Sequence, residues 1–468
     1  MFWSRRAASI SLAILVASGC ASQSRIDDQV ISPELPSQWY QKTQIAEVNQ
    51  DWLKQISNDQ LSHLIDQSLK HNRQLKQKAL DLAILAEQVE ITNATLWPEI
   101  DFSLTSSRQA SGEPTQYSNS NSANINVSYE IDLWGKLSDA AQQDHLTYLA
   151  AKAEYQQART ELIAEVMINY FELAAAQQLS KLFEQRVTLS KENLDIILSG
   201  YKQGLNEALD VYLARNDLNA ELSSLAAQQS NVQQTSANIE LLVGKYPGGR
   251  LNTESNIPVL LDNVSVGLPS ELIKKKPELQ ASWYQLLAQD AALAFAHKQR
   301  FPSIRLSGSY GSQANELDDL LSSSSVAWSL LGGVTMPLFN AGELKSIEQQ
   351  QALRLQQQEQ QYLDSLYQAF ASVERGITQE RSIKDQYQST LAAQENALIA
   401  QTLAFEQYQN GLVSYTTVLD AQERAFNAQS NVISLKNQLI TNRLNLYVAL
   451  GGNFAEGLNI QELANYDQ

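Results

Sequence analysis

Few side chains in this sequence are placed to make or break bonds. Cys20 is the only thiol among 468 residues. Four histidines, His63, His71, His145 and His297, lie far apart on helical patterns with no metal-ligand spacing, and no glycine-rich phosphate loop or Ser-His-acid arrangement emerges. Solvated helix faces are the expected setting of each histidine. The sequence therefore predicts no enzyme, no metal site and no bound cofactor. One group is left with chemistry to explain, the thiol of Cys20.

That thiol ends a short apolar run. Ile10 to Gly19 follows Arg5 and Arg6 and closes on Ala17, Ser18 and Gly19, the pattern of a secretory signal over residues 1–19. At about ten residues the run is too short for a membrane-spanning helix, which needs about 20, so cleavage is expected. The small-small-Cys ending resembles the lipobox of bacterial lipoproteins, in which the thiol receives a lipid and cleavage leaves cysteine as the first residue. Residues 20–60 then form a lipidated N-terminal lead. With Cys20 used for lipid, no thiol remains for a disulfide, and the exported chain must hold together by packing alone. The formal net charge of −17 argues against nucleic acid as a partner and against a cationic arm on anionic lipid.

Behind the lead, the chain repeats itself. "LWPEI" at Leu96–Ile100 is echoed by "RFPSI" at Arg300–Ile304, "YKQGLNEALDVYLA" from Tyr201 by "YQNGLVSYTTVLDA" from Tyr408, and "LLVGK" at Leu241 by "VALGG" at Val448. Two copies of one unit span about 61–250 and 268–455, joined by a polar linker over 251–267 and followed by a tail over 456–468. In each copy a helical segment stops at Trp-Pro or Phe-Pro, because proline disfavours helix in the residue before it. Period-two alternation follows. In copy one Ile100, Phe102 and Leu104, then Ile125, Val127, Tyr129, Ile131 and Leu133, flank a Ser/Asn/Gly/Pro-rich turn over about 110–122. In copy two the arms carry Ile304, Leu306, Gly308 and Tyr310, then Val326, Trp328 and Leu330. These read as β-hairpins at about 99–134 and 303–338, with strands of about ten residues. Two long helices follow each hairpin, at about 136–203 and 208–243, then 343–410 and 414–449. The longer ones extend roughly 100 Å. Heptad spacing at Leu363, Leu366, Phe370, Val373 and Ile377 predicts narrow seams, and interruptions by Gln, Ser and Ala suit helices packed side by side as a wall. The fold class is mainly α with a small β part.

Strands of this length cross a bilayer when tilted. An unpaired amide in lipid costs several kcal/mol, so the edges of such strands must close, and four strands cannot enclose a lumen. Several chains must then share one barrel, eight strands for a dimer or twelve for a trimer, and only the larger leaves an obvious pore. The alternative is a structural or scaffolding coiled-coil lipoprotein of the periplasm, with soluble hairpins and no pore.

The residues also resemble a known family. "GLPSELIKKKPELQ" from Gly267 to Gln280, "YEIDLWGKL" from Tyr129, "PLFNAGEL" from Pro337 and "ALGGNF" from Ala449 are similar to motifs of outer-membrane efflux lipoproteins, the channel component of tripartite export pumps. Arg73 departs from that family's usual proline, and Asn453-Phe454 from its closing pair. The resemblance implies a homotrimer with a twelve-stranded barrel in the outer membrane and a twelve-helix barrel in the periplasm. It implies passive conduction of substrates passed on by an inner-membrane pump and a periplasmic adaptor. The helical hairpins turn at Tyr201–Ala214 and Tyr408–Ala421, where Gly204 and Gly411 supply freedom at positive φ and Ser414 is expected to cap the next helix. By resemblance, Asp420 rings a periplasmic constriction, one carboxylate per protomer. Asp210 lies in the matching tip of copy one, within a different surrounding pattern of Tyr212 and Leu213, and Tyr408 is a candidate for hydrogen bonding at the tip. Thr417 stands where the family can carry a second acid, so the ring is expected to be lighter here.

Overall fold

The computed structural model describes residues 57–452 apart from 254–255, 263–264 and 323–324, together with Pro36, residues 38–40 and 44–45, Leu53, Ile56 and Phe454. The signal segment and Cys20 lie outside the described residues.

A two-residue strand β1 (Gln44–Ile45) precedes α1 (Asp59–His71) and α2 (Arg73–Ala94). Asn58 caps α1 by accepting the Leu61 N–H at 2.7 Å, and Asn72 then accepts the Leu75 N–H at 3.0 Å to open α2. Strands β2 (Glu99–Ser111) and β3 (Gln116–Ile131) lead to the paired helices α3 (Lys136–Lys202) and α4 (Ala208–Leu242). Asp132 caps α3 with the N–H groups of Leu137 and Ser138, both at 2.9 Å. The second copy follows a short strand β4 (Ser265–Val266), which pairs in parallel with β1. It comprises α5 (Pro269–Lys275), α6 (Pro277–Lys298), β5 (Ser303–Ala314), a 3₁₀ turn, β6 (Val326–Thr335), α7 (Glu343–Gln409) and α8 (Tyr415–Ala449). The duplication reproduces lengths, since α3 and α7 both have 67 residues and α4 and α8 both have 35.

Two compact units divide the chain, and α3 and α7 contribute residues to both. One unit holds residues 80–153 and 280–365 and is organised on a four-stranded antiparallel sheet in the order β2-β3-β5-β6. Its register runs one apolar row across all four strands: Phe102 opposite Ile125, Ile125 opposite Tyr310, Tyr310 opposite Trp328. A parallel row joins Ile100, Val127, Gly308 and Leu330. Period-two geometry sends the intervening residues to the opposite face. There Asp101, Asn126, Ser309 and Ser329 stand in register, Asn126 donating to Asp101 at 2.8 Å and the two serine hydroxyls lying 2.8 Å apart. Ala327 and Leu331 are the apolar residues of β6 on this polar face. The apolar face is uncovered, with Phe102 69% and Trp328 75% exposed. At the sheet margins, no described residue pairs with the outer edge of β2 or β6.

The strands are longer than expected. Most of the Ser/Asn-rich stretch read as a turn is paired strand, and only residues 112–115 separate β2 from β3. The hydroxyls and carboxamides are satisfied across the ladder, as in the 2.7 Å bond from Ser106 to Asn121, so polar composition does not end the sheet. At its base Trp134 donates to the Pro302 carbonyl at 2.7 Å and packs edge-on against Phe301, which ties the strand-to-helix junction of copy one to the helix-to-strand junction of copy two.

The other unit, residues 35–79, 154–279 and 366–468, carries the largest apolar core, centred on Met167, Tyr170, Phe171, Ile239, Leu439 and Ile440 with Leu61 and Ile65 of α1. Trp39 closes a second cluster against Phe370, its indole donating to the Gly267 carbonyl at 2.7 Å. Arg443, 2% exposed, bonds Glu380 and the Asp262 carbonyl, which anchors the linker between the copies. Among the described residues, no helix is long and apolar enough to cross a membrane.

Candidate functional site

The turns between the long helices are built alike. Gly204 has φ +78°, its N–H bonds the Tyr201 carbonyl at 3.0 Å, and the Leu205 N–H reaches back to Gly200 at 2.9 Å. Gly411 has φ +69°, with the matching bonds to Tyr408 and Gln407 at 2.9 Å each. This is the paired closure of a left-handed helix stop. A Cβ at either glycine would meet nothing within 4 Å, so backbone conformation alone selects the residue. Ser414 occupies the position before α8 but caps nothing: its hydroxyl lies 2.6 Å from that of Thr416 and bonds no backbone N–H, contrary to expectation. The neighbouring Thr416 hydroxyl offers a nearer partner than the helix amides.

Behind the turns, Ile197 of α3, Val211 and Ala214 of α4, and Tyr415 and Val418 of α8 form a buried cluster, with Phe405 and Tyr408 of α7 against it. The Tyr408 hydroxyl donates to the Asp210 carboxylate at 2.9 Å, joining positions 198 residues apart. Burial first, and then this bond and its charge, push the Tyr408 hydroxyl well above the usual tyrosine range, so it remains a donor at physiological pH. Asp210 and Tyr408 are thus brought together. Asp420 is exposed and lies outside that bond.

Two further groups sit beside this link, and neither was singled out from the sequence. Tyr415 packs its ring 5.3 Å from that of Tyr408, is 1% exposed, and leaves its hydroxyl without a hydrogen-bond partner. Asp217, two turns beyond Asp210 on α4, accepts a 2.7 Å bond from Ser190 of α3. Deeper still, Glu221 pairs with Arg186 at 2.7 Å, and that guanidinium covers the Phe426 ring at 4.3 Å. Burial pushes the Glu221 carboxyl up against the pull of Arg186. The only sequence signal for Tyr415 was an aromatic at the first helical position, which by itself says nothing of a buried hydroxyl. A second missed feature lies within the turns themselves, where Leu205 is 76% and Leu412 73% exposed, each directly after its glycine.

The histidines differ among themselves. His63, His71 and His145 are exposed, whereas His297 lies against Phe301 with Nδ1 2.9 Å from Glu348, so it is part of a packed polar contact rather than a solvated face. Among the described residues, no three His, Cys, Asp or Glu side chains are grouped to hold a metal ion.

Residues 64–245 and 268–452 both match the family of outer membrane efflux proteins. The chain belongs to this family. The two matched segments are the two copies of the duplication, and the family is one of transport proteins rather than enzymes, acting at the outer membrane. The chain is 29% identical over 470 residues to TtgC, a probable efflux pump outer membrane protein of Pseudomonas putida, spanning 96% of each. It is 26% identical over 414 residues to SilC, a probable outer membrane lipoprotein of Salmonella typhimurium, spanning 86% of this chain and 88% of that one. A crystal structure of a membrane protein from Pseudomonas aeruginosa superposes with a TM-score of 0.85 at 24% identity, over 92% of this chain and 99% of the other. The long helical hairpins and four-stranded sheet are thus a fold that this chain shares with that membrane protein.

Proposed function

We propose that three copies of this outer membrane efflux protein form a passive exit duct for an export pump, each anchored by a lipid on Cys20. One observation carries the proposal: a sheet with an uncovered apolar face on all four strands, a polar opposite face, and two open edges. In lipid those edges must pair, and copies of the same sheet are the available partners. Three sheets give twelve strands and room for a Ser- and Asn-lined lumen. SilC's description as a lipoprotein supports the lipid on Cys20.

At the helix tips, Gly204 and Gly411 make the turns. Asp420 from each subunit faces its copies across the axis, where mutual repulsion favours bound cations. The Tyr408–Asp210 bond holds the two hairpins of one subunit together in the closed state. The exposed Leu205 and Leu412 form the seat for a periplasmic adaptor, which connects the duct to an inner-membrane pump.

Extraction of the Cys20→Ala protein from membranes tests the reading. Continued need for detergent is expected, because the strands hold the protein without lipid. Release in soluble form would favour the tethered scaffold instead.

A further inference from the structure

Within the unit built on the four-stranded sheet, the helices follow the order of the strands. α2 packs on α3, where Gln88 and Thr92 both donate to Asp144. α3 packs on α6, with Leu146 buried among Ala288 and Ala291, and α6 packs on α7 through Leu286, Leu293, Leu355 and Tyr362. The row α2-α3-α6-α7 therefore ends where the sheet ends, since α2 leads into β2 and α7 follows β6. The joint between the copies, α3 on α6, shows what each end of the row lacks. α2 and α6 both have 22 residues and α3 and α7 both have 67, so their positions correspond without gaps. Tyr284, Leu287 and Ala288, which pack beside Leu146, correspond to Leu80, Ala83 and Ile84, an exposed stripe that Ile91 continues along α2. Only Glu87, at the position of Ala291, puts a charge in that stripe. On the other side of the joint, Leu146 is 9% exposed and its counterpart Leu353 is 56% exposed. Both halves of the internal joint thus occur a second time, one at each end of the row. The charges agree. Lys298 pairs with Asp139 at 2.6 Å across the internal joint, and their counterparts are Ala94 and Ser346. Loss of one charge alone would leave the other unpaired in a packed seam, and both are gone together.

Resting on the ring of copies proposed above, we infer that the exposed stripe of α2 docks on α7 of the next subunit in the register of the internal joint, with Leu353 seated on Ile84 and Ser346 facing Ala94. The occupant is a second copy of this chain because α7 carries the complementary half. A head-to-tail contact of this kind closes a ring when it repeats. The helical seam between subunits then runs without the ion pair that crosses the seam within each one.

The experiment is thiol cross-linking of the full lipidated protein carrying Ile84→Cys and Leu353→Cys, oxidised in outer-membrane fragments with copper phenanthroline and run on a non-reducing denaturing gel. Disulfide-linked dimers and trimers are expected, and neither single variant should link. If the protein has the native mass of three chains but forms no link between chains, or closes the disulfide within one chain, this joint is overturned and the ring stands. A native mass of one chain for the wild type overturns the ring and the joint together. Charge placement gives a second reading that needs no thiol. Ser346→Asp alone is expected to lower the temperature at which the trimer dissociates by several degrees, and adding Ala94→Lys should restore most of that loss by rebuilding the equivalent of the Lys298–Asp139 pair. Losses that simply add would overturn the register, and the proposal with it.

Discussion

The tip of repeat 1 and the tip of repeat 2 share a backbone and divide the chemistry. Both turns use glycine at positive φ with the same pair of reaching-back bonds, and both are followed by an exposed leucine. Aligned residue by residue, however, Tyr201 is half exposed where Tyr408 is bonded, Ala208 stands opposite Tyr415, Asp210 opposite Thr417, and Leu213 opposite Asp420. Repeat 1 keeps the acceptors inside the hairpin pair and repeat 2 keeps the tyrosines. Duplication copied the scaffold, and substitution made the copies complementary rather than equivalent. The Tyr408–Asp210 bond joins unlike positions of the two copies.

Breaking that complementarity should have the largest effect. Tyr408→Phe removes the donor and Asp210→Asn the charge, and a hydrogen bond to a charged group contributes about 1.5–3 kcal/mol. Each is expected to raise the open-to-closed ratio in planar bilayers about ten- to a hundredfold, whereas Tyr201→Phe in the other tip leaves it unchanged. Asp420→Ala comes next, with a several-fold rise in single-channel conductance and weaker block by divalent cations. Its counterpart Leu213 packs against the buried tip cluster, so Leu213→Ala should instead lower the melting temperature and leave cation block intact. Unchanged conductance and block in Asp420→Ala would remove that residue from the gate.

The shared backbone makes a quieter forecast. Gly204→Ala and Gly411→Ala each force a side chain into the left-handed region, at about 1–2 kcal/mol apiece. Both sites open on empty space, so the two losses measured by thermal unfolding should agree. Unequal losses would mean that the turns are less alike than their dihedrals. The smallest effect belongs to Ser414→Ala. A working helix cap contributes about 0.5–2 kcal/mol, but Ser414 bonds no helix amide, so its loss should fall within a few tenths of 1 kcal/mol.

What the sequence disclosed follows from how far each signal reaches. Period-two alternation at Ile100, Phe102 and Leu104 needs only near neighbours, and it predicted strands with an apolar face. The duplicated glycines at 204 and 411 mark turns because positive φ is a property of one residue. The Ser/Asn-rich stretch between 110 and 122 misled, because its strand character comes from partners across the ladder, such as Asn121 for Ser106, and not from its own composition. Tyr408 and Asp210 were each visible as tip residues, but the bond between them spans 198 positions and depends on how four helices pack. Tyr415 was illegible for the same reason, since burial of a hydroxyl is decided by α3, α4 and α7 and not by the helix that carries it. The sheet edges are different again: alternation foretold the strands, and only their order shows which two are left unpaired.

That pair of open edges on β2 and β6 is the root of the account, and native mass spectrometry of the detergent-extracted protein tests it most directly. The prediction is a complex of three identical chains, in which the β6 edge of each subunit meets the β2 edge of the next. A species of one chain, stable in mild detergent, would leave those edges without partners and contradict the ring.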